Sequence, residues 1–211
     1  AHDGDADRVL LCDENGRLID GDDIMAVAAL DMLAQKTLAE KTLVSTVMSN
    51  AGLEAAIKKA GGKMIRTPVG DKNVIDEMLK NGFNFGGEQS GHLIFRDFAT
   101  TGDGLVAALQ ILRIMRAKNS PLSKLAKCWT RFPQLVTNVK VREKIPFEKL
   151  DGVLKLISAA EAELKSAGGR ILLRYSGTEP KARLLLEGRD EKTLKNWSQK
   201  ICGAIQKQIG A

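Results

Sequence analysis

Aromatic residues are scarce in this sequence, with six Phe, two Trp and one Tyr making up 4% of the chain. A nucleic-acid surface needs stacking rings along a basic groove, but the lysines behind the net charge of +6 are spread along helical patterns. No nucleic-acid partner is expected. A basic excess also suits a protein that handles anionic small molecules. Cysteine is sparse as well: Cys12, Cys128 and Cys202 are an odd, widely spaced set without a Cys-x-x-Cys pair. That excludes a disulfide scaffold or a zinc ribbon and leaves reduced, buried thiols as the expectation. No run approaches the ~18 apolar residues of a membrane span, and Ala1-His2-Asp3-Gly4-Asp5 has neither the basic start nor the apolar core of a signal peptide. No membrane partner and a cytoplasmic location follow. What is present, 44% hydrophobic residues in 211, supports one or two compact domains without repeats or low-complexity tracts.

Val9 to Cys12 and Arg17 to Ile19 flank Asp13-Glu14-Asn15-Gly16, whose Asn-Gly step predicts a hairpin. Asp22 or Asp23 is placed to cap a helix carrying Ile24, Val27, Ala28, Leu30 and Leu33 at helical spacing. Leu43 to Val47 reads as a buried strand, Leu53 to Ala60 as a helix, Met64 to Thr67 as an extended run before Pro68, and Val74 to Leu79 as a helix. That alternation predicts a βαβ layer with a mostly parallel sheet. A long apolar helix over Leu105 to Met115 and a short one from Ser120-Pro121 to Lys127 close this part. The pattern then changes to strand (Leu135 to Val141), helix (Phe147 to Ser166), strands (Ile171 to Tyr175, Ala182 to Glu187) and helix (Glu191 to Ile209). A β-α-β-β-α order is a different architecture, so a boundary falls near residues 130 to 134.

Three loops carry chemistry. Asp3, Asp5 and Asp7 alternate, so an extended backbone can aim all three carboxylates at one point, a set that suits Mg²⁺ with Arg8 offsetting the excess negative charge. The same residues also read as an ordinary acidic loop. A calcium EF-hand is excluded, because its obligatory glycine position is Arg8 and Asn15-Gly16 turns the chain where a helix should begin. The second loop is Gly86-Gly87-Glu88-Gln89-Ser90-Gly91-His92, in which Glu88 and Ser90 can address neighbouring hydroxyls, the glycines allow close backbone approach to a ligand, and the His92 imidazole is a candidate for proton transfer. A glycine-rich turn with incidental polar residues and a hydrogen-bonded histidine is the plainer alternative. The third is Arg174-Tyr175-Ser176-Gly177-Thr178-Glu179-Pro180 with Arg183 beyond it: hydroxyls, a possible amide nest around Gly177 and two guanidinium forks suit a phosphate dianion. A Ser-Gly-Thr turn between surface arginines is its simpler reading. Asp71 is best explained as a helix cap, with Lys72 able to reach a phosphate from that helix start.

In this order, the acidic loop, the Gly-Glu-x-Ser-Gly-His loop and Arg-x-Ser-Gly-Thr-Glu-Pro resemble the α-D-phosphohexomutases. The resemblance implies an α/β protein: residues 1–20 as the end of a metal-loop domain, 21–131 as a doubly wound mixed α/β sugar-binding domain, and 132–211 as a smaller α+β phosphate-binding domain related to the TATA-box-binding-protein fold. It implies Mg²⁺ on Asp3, Asp5 and Asp7, a sugar held by Glu88 and Ser90, and a distal phosphate on Arg174, Ser176, Gly177, Thr178 and Arg183. Arg8, His92 and Lys72 would assist near the phosphates. The Gly86 to His92 loop and Thr100-Thr101-Gly102-Asp103-Gly104 look most like the branch that interconverts glucosamine 6-phosphate and glucosamine 1-phosphate for UDP-N-acetylglucosamine synthesis. Gly70-Asp71-Lys72-Asn73 departs from the Gly-Asp-Arg-Tyr of that branch, which leaves glucose or mannose phosphates as alternative substrates; a non-catalytic phosphosugar-binding module is the alternative if no phosphoserine domain precedes it. The family's phosphoserine belongs to another domain, and Ser45, Ser49, Ser120 and Ser158 lack its sequence context. The chain by itself, without those N-terminal domains, is therefore expected to show no turnover and weak Mg²⁺ binding.

Overall fold

The computed structural model describes all residues from Ala1 to Ala211, which form two compact units, Ala1–Thr130 and Arg131–Ala211. The first unit opens with a short hairpin, β1 (Leu11–Cys12) against β2 (Leu18–Ile19), closed by Asp13, whose Oδ1 accepts from the amides of Asn15 and Arg17. Residues 1–20 do not stand apart, because Val9 and Ile19 lie in the unit's main core. Helix α1 (Gly21–Gln35) follows at once. Its cap is Asp20, which accepts from the Asp23 amide, and not Asp22 or Asp23; those sit in the first turn with buried side chains. An N-cap must precede the helical residues, and the chain enters the helix one turn earlier than its apolar spacing suggests.

A four-stranded sheet of order β4-β3-β5-β6 comes next, built from β3 (Thr42–Thr46), β4 (Lys63–Thr67), β5 (Phe85–Gly87) and β6 (Leu93–Phe95). The first three are mutually parallel and β6 runs antiparallel to β5. Two crossovers, α2 (Ala51–Lys59) from β3 to β4 and α3 (Asp71–Asn81) from β4 to β5, step in opposite directions across the sheet. Right-handed crossovers then place the helices on opposite faces. Strand alternation serves both: Leu43, Phe85, Leu93 and Phe95 join α1, α2 and α4 (Gly104–Lys118) in one core, while Val44 and Ile94 pack with Val74 and Met78 of α3 in another. The unit closes with the short α5 (Leu122–Leu125). No helix of the protein is long and apolar enough to cross a membrane.

The second unit is a three-stranded antiparallel sheet, order β7-β9-β8, from β7 (Gln134–Lys140), β8 (Arg170–Tyr175) and β9 (Lys181–Glu187). Ala182, Leu184 and Leu186 of β9 pack with Val153, Ala160 and Leu164 of α6 (Asp151–Ser166) and Leu194, Ile201 and Ile205 of α7 (Glu191–Ile209). Both helices thus cover one face, and the alternate residues Arg183 and Arg174 belong to the other. The expectation of buried thiols fails: Cys12 and Cys128 are exposed and Cys202 is half-buried, all free. Cys12 lies on a two-stranded ribbon, too narrow to cover both of its faces.

Candidate functional site

In open α/β sheets, ligands settle outside the carboxyl ends of the strands, where the strand order reverses. Here that point lies between β3 and β5. A cavity of about 310 Å³ occupies it, lined by Thr46 at the end of β3, Met48, Val69 beyond β4, and Glu88, Gln89 and Ser90 beyond β5. Glu88 is half-buried; its Oε1 accepts from the Gly70 amide at 2.9 Å, and Ser90 Oγ donates to its Oε2 at 3.4 Å. One carboxylate therefore ties the loop after β4 to the loop after β5 and keeps its second oxygen beside an exposed hydroxyl. Gly70, with φ 126°, is the N-cap of α3, so Asp71 is its first helical residue rather than its cap. Lys72 follows it, exposed, on the turn that Glu88 holds.

The glycines of this loop act differently from expectation. Gly86 and Gly87 lie inside β5, where a Cβ would meet Met78 Sδ at 2.7 Å and His92 O at 2.6 Å respectively. They make room for protein, not for a ligand. The position missed in the sequence is Gly21, the first residue of α1. A Cβ there would overlap Glu88 O and stand 2.9 Å from both Gln89 O and Gly91 N, and its amide donates to Gln89 O at 3.1 Å. Helix α1, buried along most of its length, is the bed on which the Glu88 to Ser90 loop rests.

Asp3, Asp5 and Asp7 present carboxylate oxygens within 4.8 Å of one another. Arg8 stands over them, with Nε 3.6 Å from Asp3 Oδ2 and 3.9 Å from Asp7 Oδ1. Desolvation and then the neighbouring Asp5 push the Asp7 carboxyl above its ordinary value, against the opposing pull of His92. Asp7 Oδ1 accepts no hydrogen bond. His92 is 3% exposed and turns Nε2 toward Asp7 Oδ2 at 3.6 Å, while its backbone pairs with Arg8. The acidic loop and the Gly86 to His92 loop are thereby laced together, also through Val9 N–H to Gly91 O at 3.1 Å. The ring of His92 belongs to the acidic cluster, held beneath Gly102, whose Cβ would come within 2.5 Å of the imidazole.

In the second unit, Arg174 stands directly opposite Arg183 in the β8–β9 ladder. Like charges in that register destabilise a sheet unless an anion or an acid joins them. Glu179 supplies part of the compensation: its Oε2 accepts from Arg183 at 2.9 Å and its Oε1 from Lys181 at 2.6 Å, and these two bonds hold its carboxyl below the usual range. Ser176 is buried, and its Oγ accepts from Arg183 at 3.2 Å and from the Glu179 amide at 3.4 Å, which leaves its hydroxyl proton to donate. Thr178 and Gly177 are exposed. No residue of the loop has positive φ, so its amides form a turn and not an alternating right- and left-handed nest. A larger cavity of about 410 Å³ lies in this unit, lined by Arg131 to Leu135, Glu191, Leu194 and Lys195, away from the loop.

Comparison with known proteins identifies the domains. Residues 20–132 match the model of phosphoglucomutase/phosphomannomutase α/β/α domain III, and residues 136–204 match that of the phosphoglucomutase/phosphomannomutase C-terminal domain. The chain is 53% identical to a phosphoglucosamine mutase of Geobacter metallireducens over 210 residues, all of this chain and 46% of that protein. It is equally identical, 53% with the same coverage, to a phosphoglucosamine mutase of Anaeromyxobacter dehalogenans. It thus spans about half the length of these curated relatives. Among solved structures, an N-acetylphosphoglucosamine mutase of Aspergillus fumigatus in complex with GlcNAc-6P and magnesium superposes with a TM-score of 0.76 at 23% identity, over 96% of this chain and 51% of that one. A second Aspergillus fumigatus N-acetylphosphoglucosamine mutase structure gives 0.79 at 22% identity, over 98% of this chain and 47% of that one. With two family domains matched in the expected order, the chain belongs to the phosphoglucomutase/phosphomannomutase family and comprises its domain III and its C-terminal domain.

Proposed function

We propose that these residues hold the metal, sugar and phosphate of a phosphosugar mutase that interconverts glucosamine 6-phosphate and glucosamine 1-phosphate in the cytoplasm, through a phosphoserine enzyme and a bisphosphate intermediate. The observation that carries this reading is the Glu88 to Ser90 loop at the carboxyl mouth of the sheet, with one carboxylate oxygen and one hydroxyl facing a cavity of about 310 Å³. Two vicinal sugar hydroxyls need that acceptor and donor pair. The relatives at 53% identity, named phosphoglucosamine mutases, favour the glucosamine phosphates. Residues 1–20 are read as the end of a metal-loop domain, 21–131 as the sugar domain and 132–211 as the phosphate domain.

Asp3, Asp5 and Asp7 fit a small hard cation: three carboxylate oxygens converge within 4.8 Å, and Asp7 Oδ1 is left without a hydrogen bond. Mg²⁺ held there would supply positive charge against a phosphoryl group in transfer. His92 orients Asp7, and Arg8 balances the cluster. Glu88 accepts from a sugar hydroxyl while fixing the turn that bears Lys72, which is free to meet a phosphate. Arg174, Arg183, Ser176, Thr178 and the Gly177 amide bind the phosphate that does not react, so the sugar is held by its far end.

The test is a full-length protein carrying these residues, assayed on glucosamine, glucose and mannose phosphates. The highest kcat/KM is expected for the glucosamine phosphates; a preference for glucose or mannose phosphates overturns the substrate assignment. The 211-residue polypeptide alone is expected to show no turnover, and robust turnover by it would refute the assignment of the phosphoryl carrier to another domain.

A further inference from the structure

We propose that Lys144 is a positioning residue for the phosphate loop, pinning two successive carbonyls so that the amides of Gly177 and Thr178 face the anion. The proposal rests on the reading of Arg174 to Thr178 as a phosphate site. Lys144 Nζ donates to Ser176 O at 2.6 Å and to Gly177 O at 3.3 Å. In a trans peptide the carbonyl of one residue and the N–H of the next point in opposite directions. Holding Ser176 O therefore aims the Gly177 amide away from Lys144, and holding Gly177 O does the same for the Thr178 amide. Neither amide has a carbonyl partner in the protein. Unpinned, the same peptides can rotate and turn carbonyl oxygens, which repel a phosphate dianion, toward the site.

Lys144 does not hang from a loose loop. It lies on the segment after β7, which is fastened to the phosphate loop on either side of it. Val141 N–H donates to Pro180 O at 3.0 Å, the Tyr175 hydroxyl donates to Ile145 O at 2.6 Å, and the rings of Phe147 and Tyr175 stack at 4.1 Å with planes 12° apart. The segment thus forms a strap across the loop, and Lys144 is its one cation on these carbonyls. A Cβ built on Gly177 would meet nothing within 4 Å, so the loop is open at that residue.

The test uses the whole 211-residue chain and inorganic phosphate as probe, with affinity read by calorimetry and the Ser176, Gly177 and Thr178 backbone resonances read by NMR before phosphate is added. Lys144→Met is expected to shift those resonances and to weaken phosphate binding about tenfold or more. Lys144→Arg, which also donates to carbonyls, should restore most of the affinity and the wild-type resonances. Lys144→Met binding within about twofold of wild type overturns the proposal, as do unmoved resonances, which would reduce Lys144 to a surface charge. Arg174→Gln separates the two levels. If it abolishes binding while Lys144→Met does not, only the Lys144 role falls; if it binds like wild type, or wild type binds no phosphate, the phosphate reading falls and takes the Lys144 role with it.

Discussion

One methyl group placed at two glycines should have opposite effects in this protein. At Gly21 a Cβ would overlap Glu88 O and press within 2.9 Å of Gln89 O and Gly91 N, all backbone atoms that cannot swing aside. Helix α1 cannot yield either, with Ile24, Met25 and Ala28 fully buried, so the loop must move and release the Gly21 amide from Gln89 O. Overpacking of about 1–3 kcal/mol and a lost hydrogen bond of about 1 kcal/mol, less about 0.5–1 kcal/mol gained by replacing glycine in a helix, leave Gly21→Ala destabilising by about 1–3.5 kcal/mol. At Gly203, exposed within α7 and with nothing within 4 Å of a Cβ, only the helix gain remains. Gly203→Ala should stabilise by about 0.5–1 kcal/mol. Trp129 and Trp197 report the first and second units separately once the other is changed to Phe, so denaturant unfolding measures each substitution in its own unit. Gly21→Ala should also shift the Glu88 to Ser90 amide resonances. Unchanged stability of Gly21→Ala, or unmoved resonances in that loop, would refute the claim that α1 sets its position.

Three further outcomes are expected. Phe85, fully buried and tilted against Phe95 at 4.3 Å between ring centres, should cost about 3–5 kcal/mol when changed to Ala, measured by unfolding of the first unit. Glu54 titrates below its ordinary value: burial pushes it up, but the ion pairs with Lys58 at 2.6 Å and Arg66 at 3.1 Å outweigh that. A depressed folded value means that its stabilisation is complete above the unfolded value and fades as pH falls through the folded one, so wild type and Glu54→Gln should converge in stability in acid; a gap that persists there would contradict the assignment. Magnesium at ten times its dissociation constant should stabilise the first unit by about 1.4 kcal/mol, and Asp5→Asn should remove that gain; the same gain in Asp5→Asn would place the ion elsewhere.

Much of this fold was legible because its core positions recur at the right periods. The Glu191 to Ile209 helix and the switch from βαβ to β-α-β-β-α both follow from spacing alone. Strand β5 was not legible. Phe85-Gly86-Gly87 lacks the β-branched composition of a strand and forms one because Met78, Val74 and Leu93 fill the space its side chains vacate. The candidate site residues were visible as local motifs, while the contacts that hold them were not. Lys144 is 32 positions from Ser176, and Gly21 touches a loop about seventy residues away, contacts that only the crossovers and the sheet bring about. His92 shows the same limit: its neighbours in sequence are Glu88 to Ser90, but its imidazole faces Asp7.

The account stands or falls on the two polar loops as separate seats for a sugar and a phosphate. The direct measurement is NMR titration of the 211-residue chain with glucosamine 6-phosphate and, in parallel, with glucosamine. The phosphorylated sugar should move the amides of Ser176, Gly177 and Thr178 as well as those of Glu88 and Ser90, the plain sugar should leave the first group unmoved, and Arg174→Gln should abolish the first set of shifts. Saturating glucosamine 6-phosphate that leaves the Ser176 to Thr178 amides where they were would contradict it.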